Sequence, residues 1–391
     1  MCVTAAAMPW GSTLASASSP SSRLDPRALA RMEHAIASAV NQGLLPGAVV
    51  RVERSGAVHE QALGMQALQP QAQALDVSAV FDAASLTKVV VTTPVVLRLL
   101  EQGALRLSDP VRRWLPEFES HDEVTVAQLL THTSGLPAGV PQTPAWVGEA
   151  AGLHLACTRP LTHAPGTFFR YSDVNFILLG HIAQRVAAKG LAALAQDIVL
   201  GPLKMHDSGF LPLDRIPIAR LVPTEWVSDP GASPPGAAPG PTRRMLRGEV
   251  HDPTARRMAG VAGHAGLFTT AADLSRYARM VLGGGALDGV RVLAPDTVAR
   301  MTAVATPATL RERRGLGWDI DSPFSRARGR RYPLGSVGHT GFTGCALWLD
   351  PASGAFHVFL SNRVHPIARE PIVALYEEVA TAAAEAALGP G

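Results

Sequence analysis

Two segments that read as β-hairpins lie near opposite ends of the chain. Residues 47–63 hold two apolar runs around a Ser-Gly turn, and residues 345–349 and 356–360 flank an Asp-Pro-Ala-Ser-Gly turn. Apolar runs separated by turn residues are typical of antiparallel strands. Helical patterns accompany both hairpins, at residues 26–43 after an Asp-Pro start and at about residues 368–388. The sequence therefore predicts a sheet that both ends of the chain build together.

The middle of the chain, from about residue 86 to 280, has the residue patterns that are typical of helices separated by long loops. Helical patterns run over residues 176–199 and 271–282. Residues 230–241 hold five prolines and three glycines, which predicts a loop that flanks an active site or forms a flexible insert. The simplest architecture is an α/β fold of the α+β type, an antiparallel sheet flanked by helices with a mainly helical domain inserted.

The predicted domain division follows from this pattern. With 47% hydrophobic residues, the chain has ample material for a large core. We expect a disordered serine-rich tail at residues 1–24, a discontinuous sheet domain at residues 25–85 and 260–391, and a helical domain at residues 86–259.

Charge and composition exclude several classes of protein. A net charge of +3 without a run of basic residues argues against a nucleic-acid partner. No stretch approaches the ~18 apolar residues of a membrane span. The three cysteines, Cys2, Cys157 and Cys345, fit neither a disulfide framework nor a zinc signature. The N-terminus is a poor secretory signal, so the sequence favours a cytoplasmic protein and leaves export by an atypical signal open.

The first candidate for chemistry is the segment Ser85-Leu-Thr-Lys88, which contains one of three lysines in the chain. Positions i and i+3 of a helix share a face, so the ammonium would lie near the hydroxyl, and a serine needs such a neighbour to become a nucleophile. The apolar pattern predicts a helix to Leu100, although Pro94 predicts a kink in it. The alternative is a surface serine beside a solvated lysine.

The second motif is Tyr171-Ser-Asp173, which precedes an apolar helical run. A tyrosine held near an ammonium can ionise and act as a general base, and an aspartate there can hold the lysine in place. The alternative is a buried tyrosine with a helix-capping aspartate. The third motif, Gly-His-Thr-Gly-Phe at residues 338–342, leads into a strand, where a backbone N–H can serve as an oxyanion donor or the glycines only satisfy backbone geometry.

Taken in order, the three motifs make the chain resemble the serine β-lactamase and penicillin-binding-protein superfamily. The resemblance is to its class C-like branch, which holds the family VIII esterases and many β-lactamase-related hydrolases. It covers roughly residues 26–388 and includes further similar segments at residues 129–137, 164–168, 260–268, 315–318 and 360–363.

The resemblance implies a role for individual residues. Ser85 would be the acylated nucleophile, Lys88 would accept or relay its proton, and Tyr171 would be the general base in acylation and activate water in deacylation. The backbone N–H groups of Ser85 and Phe342 would form the oxyanion hole. The residues expected to border the substrate are Asp173, His339, Thr340, Gly341 and Arg363. Arg363 is either a ligand for a substrate carboxylate or part of a structural salt bridge.

Two departures from the family pattern bear on the substrate. Its β-lactamases usually have asparagine where Asp173 stands and lysine where His339 stands. An ionised aspartate cannot donate a hydrogen bond to an amide carbonyl, and a histidine is largely neutral near pH 7. Both changes weaken recognition of an anionic β-lactam and favour an esterase-type or peptidase-type hydrolase, with a carboxylic ester as the favoured substrate. β-Lactam or D-amino-acid peptide hydrolysis, acyl transfer and a non-catalytic penicillin-binding-like protein stay open as alternatives.

Rival enzyme classes lack their signatures. The sequence has no G-x-S-x-G elbow, no H-E-x-x-H pair and no GxxxxGK[ST] loop. His121-Asp122 is the one suggestive pair, and His132, His251 and His264 read as loop-packing or site-lining histidines. We therefore expect no metal, no cofactor and a small-molecule ester or amide as partner; oligomeric state is not readable.

Overall fold

The computed structural model describes residues 23–118, 124–229 and 242–389. The loop predicted at residues 230–241, the pair His121-Asp122 and nearly all of the predicted tail lie outside these residues. The α-helices are α1 (Pro26–Asn41), α2 (Thr93–Glu101), α3 (Val126–Leu130), α4 (Glu149–Cys157), α5 (Asp173–Ala187), α6 (Leu191–Ala195), α7 (Pro253–Arg257), α8 (Ala271–Leu282), α9 (Pro295–Thr302) and α10 (Val373–Leu388).

The strands confirm the predicted sheet. They are β1 (Gly47–Arg54), β2 (Ala57–Ala67), β3 (Gln73–Ala74), β4 (Phe81–Asp82), β5 (Pro223–Asp229), β6 (Thr242–Arg247), β7 (Phe268–Thr269), β8 (Ala286–Leu287), β9 (Val290–Arg291), β10 (Arg313–Arg314), β11 (Asp319–Asp321), β12 (Val337–Gly341), β13 (Cys345–Asp350) and β14 (Ala355–Ser361). Eight of them form one sheet in the order β10-β11-β12-β13-β14-β1-β2-β3, and every neighbouring pair is antiparallel. Strands from both ends of the chain meet where β1 pairs with β14.

Both faces of the sheet are covered, because successive side chains of a strand point to opposite faces. Val49 and Leu347 belong to the core that the sheet shares with α2, α5 and α8. Val50 and Trp348 belong to a second core beneath α1 and α10. This double burial explains why β13 and β14 are apolar at nearly every position instead of alternating.

The segment between β4 and β7 is mainly helical, as predicted, and α5 runs through its centre with residues 174–183 all buried. The exception is the antiparallel hairpin of β5 and β6, whose strands flank residues 230–241. The boundaries of the two domains stay a prediction. None of the described helices combines the length and apolar character needed to cross a bilayer.

Two predicted helices have different bounds in the structure. The helix predicted at residues 176–199 is interrupted because Ala188 adopts a left-handed conformation with φ 50°, which ends α5. The last helix begins at Val373 rather than near residue 368, after the Glu370-Pro371 step, where proline disfavours helical backbone in the preceding residue.

The helix predicted from Ser85 to Leu100 is present but irregular. Lys88–Thr92 form a π-helical turn, and α2 begins at Thr93. The helical backbone continues from the π turn into α2, because Thr92 and Thr93 both have right-handed helical backbone, so Pro94 lies inside a continuous helix. The π turn is a distortion close to this proline, and the kink at Pro94 stays a prediction. The π turn carries Lys88, the residue that the sequence singled out.

Candidate active site

Ser85 lies directly after the short strand β4, at the start of the π-distorted helix. Ala84 has a positive φ of 46°, a conformation that costs free energy for a residue with a Cβ. Three residues further on, the Lys88 ammonium donates to Ser85 Oγ over 2.9 Å. The predicted i, i+3 pair is therefore formed.

Lys88 is completely buried and holds three oxygen partners. Besides Ser85, its ammonium donates to the His264 carbonyl over 2.9 Å and lies 2.8 Å from Asp173 Oδ1. Burial pulls the pKa of Lys88 down, but the charge of Asp173 and the nearby Tyr171 outweigh burial and leave that pKa above its ordinary value. Lys88 is therefore a fixed cation beside the Ser85 hydroxyl.

Tyr171 lies over this cation, with the ammonium 5.1 Å from the ring centroid. The Tyr171 hydroxyl is buried and lies close enough to the Lys88 ammonium to raise the pKa of that lysine. An aromatic hydroxyl close to a fixed cation is the arrangement that favours a phenolate. The second predicted motif therefore lies beside the first, and Asp173 pairs with Lys88 as the sequence suggested.

His132 supports Tyr171 from beneath, with ring centroids 4.5 Å apart. Its backbone is left-handed, with φ 59°, and its Nδ1 accepts the Ser172 N–H over 3.1 Å. Asn175 lies 3.2 Å from the same nitrogen. Burial lowers the pKa of His132 well below its ordinary value, and the nearby Arg314 adds to this, so the ring is neutral near pH 7.

The third motif forms β12, the strand that lines the other side of the site. His339 Nδ1 lies 2.8 Å from the Thr340 carbonyl, which makes Nδ1 the protonated nitrogen and leaves Nε2 as an acceptor. That Nε2 is buried and has no hydrogen-bond partner among the described residues. Burial lowers the pKa of His339 well below its ordinary value, so this side chain supplies no positive charge.

The end of β12 approaches the Ser85 loop very closely. A Cβ on Gly341 would lie 2.5 Å from the Ala83 carbonyl oxygen, so a larger residue would push the strand away. Neither the Ser85 N–H nor the Phe342 N–H donates to any hydrogen-bond acceptor in the described part of the chain. Two backbone donors are therefore free to face the same cavity, as an oxyanion hole requires.

Asp82 joins three segments of the site and was missed by the sequence analysis. Its carboxylate accepts the Ala84 N–H over 2.9 Å and the His251 N–H over 2.6 Å, and its carbonyl accepts from the Thr343 hydroxyl over 2.7 Å. These bonds tie the Ser85 loop to the His251 loop and to the turn after β12. The available signal was an aspartate three residues before the serine, at the end of a buried strand.

Arg363 contacts the predicted site residue Phe342 without lining the cavity itself. It is 4% exposed, and its guanidinium stacks on the Phe342 ring and donates to the Arg369 carbonyl over 2.5 Å. The structure therefore gives Arg363 a supporting position behind Phe342, and a role in binding a substrate carboxylate stays a prediction.

These side chains line one cavity of about 520 Å³. Its walls include Ala84, Ser85, Tyr171, Asp173, Glu225, His251, Asp252, Pro253, Ala265, Arg314, Asp319, Phe324, His339, Thr340, Phe342, Trp348 and Ala368. Arg314 is the one arginine among them, and it is paired with Asp319 at 3.1 Å. The cavity is lined by residues from all three sequence motifs. Glu225 and Asp252 also line it, although no sequence motif pointed to them.

One group of side chains could reach a common cation. Ligand atoms of Asp173, Asp252 and His264 lie within 4.8 Å of one another. Asp173 already pairs with the Lys88 ammonium, and Asp252 pairs with His264, so each of these side chains already has a partner within the protein. We assign no metal to this group. That the protein works without a metal ion stays a prediction.

Fold and site together define the class of the protein: it is a serine hydrolase. The chain belongs to the Beta-lactamase family, whose family model matches residues 32–382. This finding confirms the resemblance to the serine β-lactamase and penicillin-binding-protein superfamily.

Individual relatives carry different activities in their names. A putative D-alanyl-D-alanine carboxypeptidase of Escherichia coli is 30% identical over 314 residues, which is 74% of this chain and 70% of the relative. An N-acetylmuramyl-L-alanine amidase of Bacillus subtilis is 30% identical over 360 residues, 83% of this chain and 79% of the relative. The structure of EstCE1, a hydrolase with promiscuous acyltransferase activity, shares the fold with a TM-score of 0.69 and 22% identity, covering 90% of this chain and 99% of that one.

Proposed function

We propose that this protein hydrolyses carboxylic esters through an acyl-enzyme on Ser85. The observation that carries the proposal is the meeting of Ser85, Lys88 and Tyr171 in one cavity. A charged lysine cannot take a proton, so Lys88 orients Ser85 and stabilises negative charge on Tyr171. The Tyr171 oxygen is then the base.

The proposed reaction has two halves. Ser85 Oγ attacks the ester carbonyl carbon, its proton passes to Tyr171, and the oxyanion is held by the N–H groups of Ser85 and Phe342. The bond to the alcohol oxygen breaks, and that oxygen takes the proton from Tyr171. A water molecule then attacks the acyl-enzyme, Tyr171 accepts its proton, and the proton returns to Ser85 as the acid leaves.

Two features of the cavity support an ester as the substrate. Asp173 is engaged with Lys88, so it cannot donate to an amide carbonyl in the way an asparagine would. His339 is neutral, and Arg314 is paired with Asp319, so a substrate carboxylate finds no free cation among the described lining residues. β-Lactams and peptides ending in D-alanine both carry such a carboxylate.

The test compares short-chain p-nitrophenyl esters, a chromogenic cephalosporin and a D-alanyl-D-alanine peptide on kcat/KM. We expect the ester to be preferred and Ser85→Ala to abolish its hydrolysis while thermal unfolding is unchanged. A large preference for the cephalosporin or the peptide would overturn the ester assignment. Unchanged ester hydrolysis in Ser85→Ala would overturn the role of Ser85.

A further inference from the structure

We propose that the cavity selects substrates that carry a protonated amine. The selecting surface is an acidic wall formed by Glu225, His251 and Asp252, which lies in the same cavity as Ser85. This inference rests on the proposed function, because it names the class of substrate that the Ser85 site would take.

The charges around the cavity favour a cation. Four carboxylates line it, those of Asp173, Glu225, Asp252 and Asp319. Against them stand Arg314 in the lining, Lys88 beneath it, and Arg256, which lies outside the lining and acts on Glu225. Carboxylates therefore outnumber permanent cations around the cavity. A cavity with low-dielectric walls and charge of one sign concentrates ligands of the opposite sign.

Each of the two carboxylates of the acidic wall has a histidine side chain within ion-pair distance. Glu225 Oε1 lies 3.0 Å from His251 Nε2, and Asp252 Oδ1 lies 2.9 Å from His264 Nε2. The hydrogen bond from His251 lowers the pKa of Glu225. Burial alone would raise the pKa of Asp252, but the imidazole of His264 outweighs it and the pKa is lowered. Both carboxylates are therefore ionised at neutral pH.

The permanent cations, in contrast, are already engaged. Arg314 is 1% exposed and paired with Asp319, and Lys88 is fully buried against Asp173. A substrate anion would thus meet two carboxylates that are paired only with imidazoles, and no unpaired arginine or lysine among the described lining residues. An ammonium group would be attracted to the same two carboxylates.

An independent observation points to a ligand that donates hydrogen bonds. His339 is 5% exposed and lines the cavity, and its buried Nε2 has no partner among the described residues. Because Nδ1 faces the Thr340 carbonyl, Nε2 is an acceptor. An unfilled buried acceptor is costly, so a hydrogen-bond donor belonging to the substrate fits this position.

The acidic wall lies close to the reacting centre. The His251 ring stacks on Phe342 with centroids 5.5 Å apart, and the Phe342 N–H is one proposed oxyanion donor. Tyr171 and Phe324, whose centroids are 5.3 Å apart, provide an apolar surface in the same cavity. A substrate with an apolar portion and an amine a few bonds from the carbonyl therefore fits the lining.

The test uses p-nitrophenyl esters of 6-aminohexanoate, heptanoate and pimelate, which end in an ammonium, a methyl and a carboxylate group on chains of matched length. A second pair, the butyrate esters of 6-aminohexan-1-ol and heptan-1-ol, places the charge in the leaving half. Each kcat/KM is divided by the rate of hydroxide hydrolysis of the same ester. In at least one series we expect the ammonium ester to exceed its methyl counterpart by roughly five- to tenfold, and added salt to reduce the ratio.

The variant Glu225→Gln removes one charge of the acidic wall, and Glu378→Gln is its matched control on the exposed face of α10. We expect the ammonium-to-methyl ratio to fall several-fold in Glu225→Gln and to stay constant in Glu378→Gln, with thermal unfolding confirming that both are folded. A ratio of one or less in both series, or a ratio that Glu225→Gln leaves unchanged, would overturn the inference.

Failure of this inference is distinguishable from failure of the proposed function. If the heptanoate ester is hydrolysed and Ser85→Ala abolishes that hydrolysis, the ester function stands whatever the ratio. If none of the esters is hydrolysed, the ester function is wrong and the inference falls with it.

Discussion

The Lys88 ammonium lies 2.8 Å from the Asp173 carboxylate. This contact keeps a completely buried lysine charged, because burial alone would lower its pKa. The charge of Lys88 also distinguishes two mechanisms. If Lys88 is charged, Tyr171 is the general base, whereas a neutral Lys88 would itself be the general base.

Asp173→Asn tests this relationship. Without the carboxylate, burial lowers the pKa of Lys88, so the ammonium loses its proton at a lower pH. We expect kcat/KM for p-nitrophenyl butyrate to fall by at least about tenfold near pH 7.5, and the alkaline limb of the pH–rate profile to move to lower pH. Asp197→Asn, which breaks the exposed ion pair with Lys189, is the control. A rise in activity in Asp173→Asn would identify Lys88 as the base.

Tyr171→Phe removes the proposed base and keeps the ring that packs on His132. We expect kcat/KM to fall by at least the ~10²-fold typical of losing a general base, with an unchanged unfolding temperature. Tyr332→Phe is the control, because that hydroxyl is buried too but does not line the cavity. A rate close to wild type in Tyr171→Phe would exclude Tyr171 from the mechanism.

Asp82→Asn tests whether Asp82 positions the site. An amide offers one acceptor oxygen where the carboxylate offers two, so either the Ala84 N–H or the His251 N–H loses its partner, at a cost of about 1–3 kcal/mol in the free energy of unfolding. We expect the acylation rate in single turnover to fall as well. Asp109→Asn changes another buried aspartate that does not line the cavity. Equal acylation rates in the two variants would leave Asp82 with a purely structural role.

His132 makes stability depend on pH. Its pKa is lowered in the folded state, so below its ordinary value of 6.5 the unfolded chain binds a proton that the folded protein does not, and stability falls as pH falls. His132→Asn tolerates the left-handed backbone and removes this titration. Between about pH 7.5 and 5.5 the variant should lose about 1.4 kcal/mol less stability than wild type in denaturant unfolding. The exposed His154→Asn should behave like wild type, and parallel pH curves for all three proteins would contradict the account.

The sequence predicted those parts of the fold and site that local spacing encodes. The hairpins and the end helices follow from apolar periodicity and turn residues, and the Ser85–Lys88 pair follows from helical geometry. The meeting of Tyr171 with Lys88 came only from the family resemblance, since their separation along the chain carries no local signal.

The features that sequence reasoning missed depend on contacts between distant segments. Asp82 matters because it bonds the loop of His251, far along the chain, and Glu225 enters the cavity because of the β5–β6 hairpin. The two roles that the sequence left open for Arg363 have the same origin: sequence spacing does not say whether a side chain near a strand end faces the cavity or packs behind Phe342. The end of α5 at Ala188 depends on a left-handed backbone conformation at an alanine, which residue preferences do not predict.

The most direct test of the central claim is intact-mass spectrometry of the protein quenched in acid after mixing with p-nitrophenyl butyrate, followed by peptide mapping. We expect a mass increase of one butyryl group in the wild-type protein, located on Ser85, with a longer-lived adduct in Tyr171→Phe once it forms and none in Ser85→Ala. An adduct on another residue, or ester turnover that persists in Ser85→Ala, would exclude Ser85 as the nucleophile.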